Sequence, residues 1–257
     1  MFIDTHAHIF DEAYNDYKVS DILNNAYKNN VYKVVCIGYD KKSNNQVLEL
    51  SKEYKNIYST IGIHPSEVKN CSEKDLDDFI EFAYQVKDKI VAIGECGLDF
   101  YWDKDNISMQ ELFFRRQIEL AIELNLPIVV HSRESIQKTY DILASYKGRV
   151  RGVMHCYSGS YEMGLRFIEL GFMLGIGGVV TFKNAKNIIE VVEKVSIEQL
   201  VLETDCPYLT PAPHRGTRNE PAFIPLIAQK IAEIKHISVE EVSRMTSQNA
   251  IKLYNIE

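Results

Sequence analysis

The chain has 257 residues, 46% of them hydrophobic and 25% charged, with 13 Gly and 7 Pro, a composition that excludes collagen-like, low-complexity and disordered classes. Lys and Arg number 29 against 36 Asp and Glu, a formal charge of −7; this argues against coating nucleic acid through a broad basic face, though not against a nuclease whose positive charge comes from bound cations. Apolar runs fall short of the roughly 20 residues that span a bilayer, and the opening Met-Phe-Ile-Asp-Thr-His turns polar too soon for a signal peptide, so a cytoplasmic protein without membrane partners is expected.

Eight short apolar or β-branched runs follow in chain order: Phe2 to Thr5, Lys33 to Gly38, Ile57 to Ile63, Ile90 to Gly94, Pro127 to Val130, Val150 to Met154, Phe172 to Ile176 and Gln199 to Thr204. Each is nearly continuous in hydrophobicity, the pattern of parallel strands covered on both faces. Amphipathic stretches separate them. Ser72 to Lys87 opens on Ser-Glu-Lys-Asp as an N-terminal cap. Met109 to Leu124 carries Leu112, Phe113, Ile118, Ala121 and Ile122 on one broad side, and Asn125 followed by Pro127 reads as its stop. Strand and helix alternating eight times predict an α/β fold, a (β/α)8 TIM-like barrel. Ser238 to Tyr254 adds a C-terminal helix on the outside. No linker, repeat or biased segment interrupts the chain, so residues 1–257 are expected to form a single barrel domain.

Polar residues concentrate at the C-terminal ends of these strands. Strand one ends in His6 and His8, strand three in His64, strand four in Glu95, strand five in His131, strand six in His155, and strand eight in Glu203 and Asp205. In a barrel those ends share the face on which active sites are built. His6 and His8, two apart, point the same way along a strand, as do Glu203 and Asp205. The same alternation turns Cys96, Cys156 and Cys206 away from their neighbours and toward the packing between barrel and helices. The five cysteines show no CxxC pairing, so neither a disulfide framework nor a thiolate zinc site is indicated. A single strand-end histidine is more often structural than a ligand. Four imidazoles and two carboxylates sent to one cavity need compensation, and a cation supplies it. Six candidates exceed what one catalytic ion requires. The expectation is therefore two divalent ions (Mg, Mn or Zn), with His6, His8 and Asp205 on the first, His131 and His155 on the second, and Glu95 between them, sharing and activating one water.

The segments Asp4-Thr-His-Ala-His8, Gly62-Ile-His-Pro65, Gly94-Glu-Cys-Gly-Leu-Asp99, Val130-His-Ser-Arg133, His155-Cys-Tyr-Ser-Gly159, Glu203-Thr-Asp-Cys-Pro207 and Pro211 to Pro221 resemble, in order and spacing, the TatD family of metal-dependent deoxyribonucleases. The resemblance runs from residue 2 to about residue 254. It implies a distorted barrel of the amidohydrolase superfamily, hydrolysis of DNA phosphodiester bonds, and His6, His8, Glu95, His131, His155 and Asp205 as metal ligands. It also brings His64 and Glu203 to the active site, His64 for the scissile phosphate or leaving group and Glu203 for proton handling or a further metal contact. With Asp205 as proton acceptor these are the expected catalytic residues. Arg133, Arg215 and Arg218 stand in motif segments at the barrel mouth, where guanidinium groups hold phosphates in bidentate fashion. Thr217 departs from the family, which often carries Lys there. Tyr101, Trp102 and Tyr157 follow strand ends, where stacking on bases competes with rim packing as their role.

A barrel mouth admits a strand terminus more readily than intact duplex. Exonucleolytic attack on single-stranded or frayed DNA is thus expected, with no obligate protein partner. The competing reading keeps a binuclear hydrolase but moves it to an amide or non-DNA ester, such as a cyclic amide or aminoacyl-tRNA. Sites of that type often bridge their ions with a modified lysine at strand four, where this chain has Glu95. A non-catalytic, metal-dependent binding barrel is a third reading, opposed by the complete ligand set.

Overall fold

The computed structural model describes residues 1–256. The strands are β1 (Phe2–Ala7), β2 (Val31–Ile37), β3 (Ile57–Ile61), β4 (Ala92–Asp99), β5 (Ile128–Arg133), β6 (Gly152–Met154), β7 (Phe172–Ile176) and β8 (Leu200–Leu202). They follow one another in chain order in one sheet, with parallel pairing. The chain just past β8 returns to β1: Ala7 bridges Cys206, and the amides of His8 and Asp205 donate to the carbonyls of Cys206 (2.8 Å) and His6 (2.9 Å). Sequential parallel order with this return is the (β/α)8 barrel that the alternation predicted. The helices between and after the strands are α1 (Val19–Lys28), α2 (Lys41–Glu53), α3 (Glu73–Val86), α4 (Ile107–Glu123), α5 (Ile136–Ala144), α6 (Tyr161–Glu169), α7 (Lys186–Lys194), α8 (Ile224–Lys235) and α9 (Val239–Tyr254). Among the described residues no helix is long and apolar enough to cross a membrane.

By internal contacts the chain divides into two compact units, each discontinuous in sequence. The first comprises Met1–Cys36, Cys156–Ile168 and the chain from Met173 on. Every residue of β1 is buried, and α9 lies against β1, β8 and α8. This is the predicted C-terminal helix. Its start is capped by the Ser238 hydroxyl, which accepts from the Glu241 amide at 3.1 Å, and its Asn249 side chain donates to the carbonyls of Ile197 and Leu200, both at 2.8 Å.

The second unit comprises Ile37–His155 and Glu169–Phe172. Ser72 and Asp75 cap α3 reciprocally, as the Ser-Glu-Lys-Asp stretch predicted. Asn125 stops α4 in the left-handed region (φ 55°), and the Leu126 amide returns to the Ala121 carbonyl at 2.9 Å.

Strand ends are where the sequence reading needs correction. β4 does not stop at Gly94 but continues through Glu95 to Asp99, pairing Gly97 with His131 and Asp99 with Arg133. Its glycines read as punctuation; Gly97 instead lets two backbones approach, since a Cβ there would lie 2.0 Å from the His131 carbonyl oxygen. β5 likewise carries His131 within the strand. β8 is shorter than predicted, because the Thr204 amide leaves the ladder for the Asp4 carboxylate (3.0 Å). Cys96 and Cys206 are buried as expected, whereas Cys156 is only partly buried, in a left-handed turn (φ 44°).

Candidate metal sites

In the first unit, His6 is the last residue but one of β1, which ends at Ala7, and His8 lies just beyond. Their Nε2 atoms are 3.2 Å apart, and the Asp205 Oδ1 stands 3.7 Å from the first and 3.6 Å from the second. Three ligands held tetrahedrally at metal–ligand lengths of about 2.1 Å lie about 3.4 Å from one another. The triangle formed by His6, His8 and Asp205 therefore has the edge lengths that one small divalent cation requires. Asp205 adopts a left-handed backbone (φ 56°), and its amide donates to the His6 carbonyl.

Behind this triangle lies Asp4, fully buried. Its Oδ1 accepts from the amides of His6 (3.2 Å) and Thr204 (3.0 Å), and its Oδ2 from the Thr204 hydroxyl (2.5 Å). Burial pushes the Asp4 carboxyl up to about 7, against the opposing pull of these hydrogen bonds. Glu203 is also buried. Its Oε1 accepts from the Cys156 amide at 2.5 Å, and its carboxylate lies so close to Gly175 that a Cβ on that glycine would meet Oε2 at 2.4 Å.

In the second unit Glu95 Oε1 is the hub. His131 Nδ1 lies 2.9 Å from it, His64 Nε2 3.6 Å and His155 Nε2 3.9 Å. His131 is gripped on its other side by Asp99, whose Oδ2 is 2.9 Å from Nε2. A carboxylate on Nε2 leaves the Nδ1 lone pair for a cation and fixes the ring's orientation, the usual support of a metal-bound histidine. Asp99 is held below the ordinary carboxylate range: burial opposes the charge, but hydrogen bonds from His131 and from the Trp102 and Tyr101 amides outweigh it.

His64 directs Nε2 at Glu95 and is oriented through its other nitrogen: the Ser66 amide donates to Nδ1 at 3.1 Å, and the Ser66 hydroxyl lies 2.8 Å from the same atom.

Of the six predicted ligands, His6, His8 and Asp205 form one imidazole–carboxylate group and Glu95 and His131 another, whose third member is His64, while His155 stands 3.9 Å from Glu95; the composition is one that divalent ions take. The predicted arginines have other surroundings. Arg133 ends β5 exposed, its guanidinium carbon 4.0 Å from the centre of the Tyr101 ring. Arg215 donates to the Thr210 carbonyl (3.0 Å) and covers the Phe182 ring at 3.8 Å. Arg218 donates to the Ala13 carbonyl and to Asp16 Oδ1 (2.6 Å) and lies over Tyr17 at 3.9 Å. Sequence reasoning assigned no role to Asp99 or Asp4. Asp99 follows Glu95 by four within one motif, a signal that becomes visible only once β4 is extended through both.

A model of the TatD related DNase family matches residues 3–255. The chain is 41% identical over 257 residues to YabD, an uncharacterized metal-dependent hydrolase of Bacillus subtilis, with all of both chains covered. Among solved structures it superposes on the TatD homolog YjjV of Escherichia coli with a TM-score of 0.93 at 28% identity, covering 100% of this chain and 98% of the other. A TatD family hydrolase of Entamoeba histolytica gives 0.86 at 25%, covering 98% and 97%. The chain belongs to the TatD family of metal-dependent hydrolases.

Proposed function

We propose that this protein is a deoxyribonuclease that hydrolyses DNA phosphodiester bonds from an accessible strand end, using two divalent ions. The observation that carries the reading is the composition of the candidate ligand groups: His6, His8 and Asp205 in one, Glu95, His131 and His64 in the other with His155 3.9 Å from Glu95, and no thiolate or lysine among them. Family membership supplies DNA as the substrate class. When bound, the ions lower the pKa of a water and neutralise charge developing on phosphoryl oxygens.

The chain's own residues do the rest. Asp205, with two imidazoles beside it, accepts the proton of the attacking water. His64, oriented through Nδ1 by Ser66, presents Nε2 to the phosphate or the leaving oxygen. Glu203, fixed by the Cys156 amide, holds a proton or a further ligand position. Arg133 receives a substrate phosphate at the end of β5.

The test is cleavage of DNA strands labelled at the 3′ or the 5′ end, with Mg or Mn, with and without chelator, and with the His131→Ala variant. Stepwise release of nucleotides from one end, abolished by chelator and by the substitution, is the expected result. Rapid cutting inside end-blocked duplex would defeat the exonucleolytic mode. Metal-independent cleavage, or cleavage indifferent to His131→Ala, would defeat the assignment as a whole.

A further inference from the structure

We propose that Tyr101 and Trp102, in the loop after β4, form a shelf on which one nucleobase of a single-stranded substrate stacks, and that Asp99 ties this shelf to His131. The inference rests on the nuclease reading and adds the contact by which the base, as distinct from the phosphate, is recognised.

Trp102 is 67% exposed, the highest value among the exposed large apolar side chains, and Tyr101 is 48% exposed. Exposed aromatics scattered singly need no explanation. These two are adjacent, and the backbone beneath them is pinned at every step. The Phe100 amide donates to the Arg133 carbonyl at 2.9 Å. The amides of Tyr101 and Trp102 both donate to Asp99 Oδ1 at 2.9 Å. The buried Gln110 side chain accepts from the Asp99 amide (2.9 Å) and donates to the carbonyls of Asp99 (3.2 Å) and Asp103 (3.0 Å). Asp103 in turn accepts from the amides of Asp105 and Asn106 at 3.1 Å. A loop fixed this firmly, with its two largest apolar side chains turned to solvent, has the preorganisation of a binding surface, because the ordering cost has been met before a ligand arrives.

The rings make an oriented pair. Their centres are 4.8 Å apart and their planes are inclined by 87°, so one ring at a time can offer its face to a given base. The Arg133 guanidinium carbon lies 4.0 Å from the centre of Tyr101 and 5.5 Å from that of Trp102. The cation sits nearer Tyr101 than Trp102, and Trp102 is the more exposed of the two rings, so it offers more of its face for stacking. Arg133 adds a positive charge beside the aromatic surface, the combination that single-stranded nucleic acid requires: a π-face for a base and a guanidinium for its phosphate. An apolar protein partner would have no need of that charge.

Asp99 makes the placement specific. One oxygen of its buried carboxylate holds both shelf amides, and the other pairs with His131 Nε2 at 2.9 Å. The candidate metal ligand and the shelf are therefore two hydrogen bonds apart through one rigid group. A base on Trp102 would set its own phosphate at a fixed reach from His131, giving an end-directed enzyme a register for its substrate.

Trp102 is the only tryptophan in the chain, so intrinsic tryptophan fluorescence reports this position alone. The Mg-loaded full-length protein is titrated with a short single-stranded oligothymidylate whose phosphorothioate linkages resist hydrolysis, with the oligouridylate of equal length, and with an abasic strand of the same length and charge. Saturable loss of emission on the order of half with both base-bearing strands, and little with the abasic one, is expected, because stacking reads the face of the base and not the sugar. Trp102→Leu, at an exposed position where folding is not at stake, should weaken the base-bearing strand about tenfold by anisotropy of an end label and leave the abasic strand unaffected.

Equal quenching by the abasic strand would make this a phosphate site only and overturn the proposal. So would unchanged affinity in Trp102→Leu. If either result accompanies metal-dependent DNA cleavage by the wild type, the shelf falls and the nuclease reading stands. If the wild type neither binds nor cleaves any strand, both fall.

Discussion

In the first unit the candidate ligands are positioned by main chain: Asp205 and His8 are each tied to the neighbouring segment through amide–carbonyl hydrogen bonds, and Asp4 braces the amides of His6 and Thr204 from behind. In the second unit they are positioned by side chains: Glu95 faces three imidazoles, and Asp99 grips the far nitrogen of His131. A ligand group built on backbone geometry tolerates changes in nearby side chains and fails when a ligand itself is lost. A group built on side-chain partners also fails through residues that never touch the metal. The two groups are therefore expected to respond alike to ligand removal and acid, and differently to substitution of the bracing carboxylates.

The largest effect is removal of a ligand. His8→Ala and His131→Ala should each lower kcat/KM by more than about a hundredfold, beyond the 10–100-fold usual for outer partners of a metal site, and each should remove one bound ion. A variant that keeps both ions and wild-type rate would break the comparison. Acid comes next. Imidazoles bind metal only when neutral, and each group offers two from the predicted set, so protons compete for two positions per ion. Affinity should then fall by up to about a hundredfold per pH unit once both imidazoles protonate. The sign is loss as pH falls. Full activity with metal retained near about pH 4.5 would contradict it.

Asp99→Asn sharpens the contrast. An amide donor facing His131 Nε2 reverses that ring's tautomer and puts a hydrogen on Nδ1, the atom directed at Glu95. Metal affinity at the second group should drop roughly 10–100-fold with the first group unchanged, measured by calorimetric titration. Equal loss at both groups, or none, would refute the bracing role. The smallest effect belongs to Arg218, which is committed to Asp16 and the Ala13 carbonyl. Arg218→Ala should change KM for DNA by less than about threefold, in keeping with the low worth of exposed ion pairs. A tenfold rise would return it to the substrate-binding set.

The fold was legible because parallel strands buried on both faces leave near-continuous apolar runs, and all of them are found. The imidazole–carboxylate clusters were legible because imidazoles at strand ends are expensive to bury without compensation. The length of β4 was not. Gly94 and Gly97 resemble breaks in a one-dimensional reading, while their function is close approach to β5. Stopping the strand early removed Asp99 from view, and with it the anchor of Tyr101 and Trp102. The partners of Arg215 and Arg218 were equally hidden, since Phe182 and Asp16 lie far from them in sequence and reach them only through the fold.

The central claim is that these two imidazole–carboxylate groups each hold a divalent ion. Metal bound per chain, measured by equilibrium dialysis with elemental analysis for the wild type, His8→Ala and His131→Ala, tests it most directly. The account predicts two ions in the wild type and one in each variant, with DNA hydrolysis lost in both. A wild type that binds no divalent ion, or variants that retain the full complement, would contradict it.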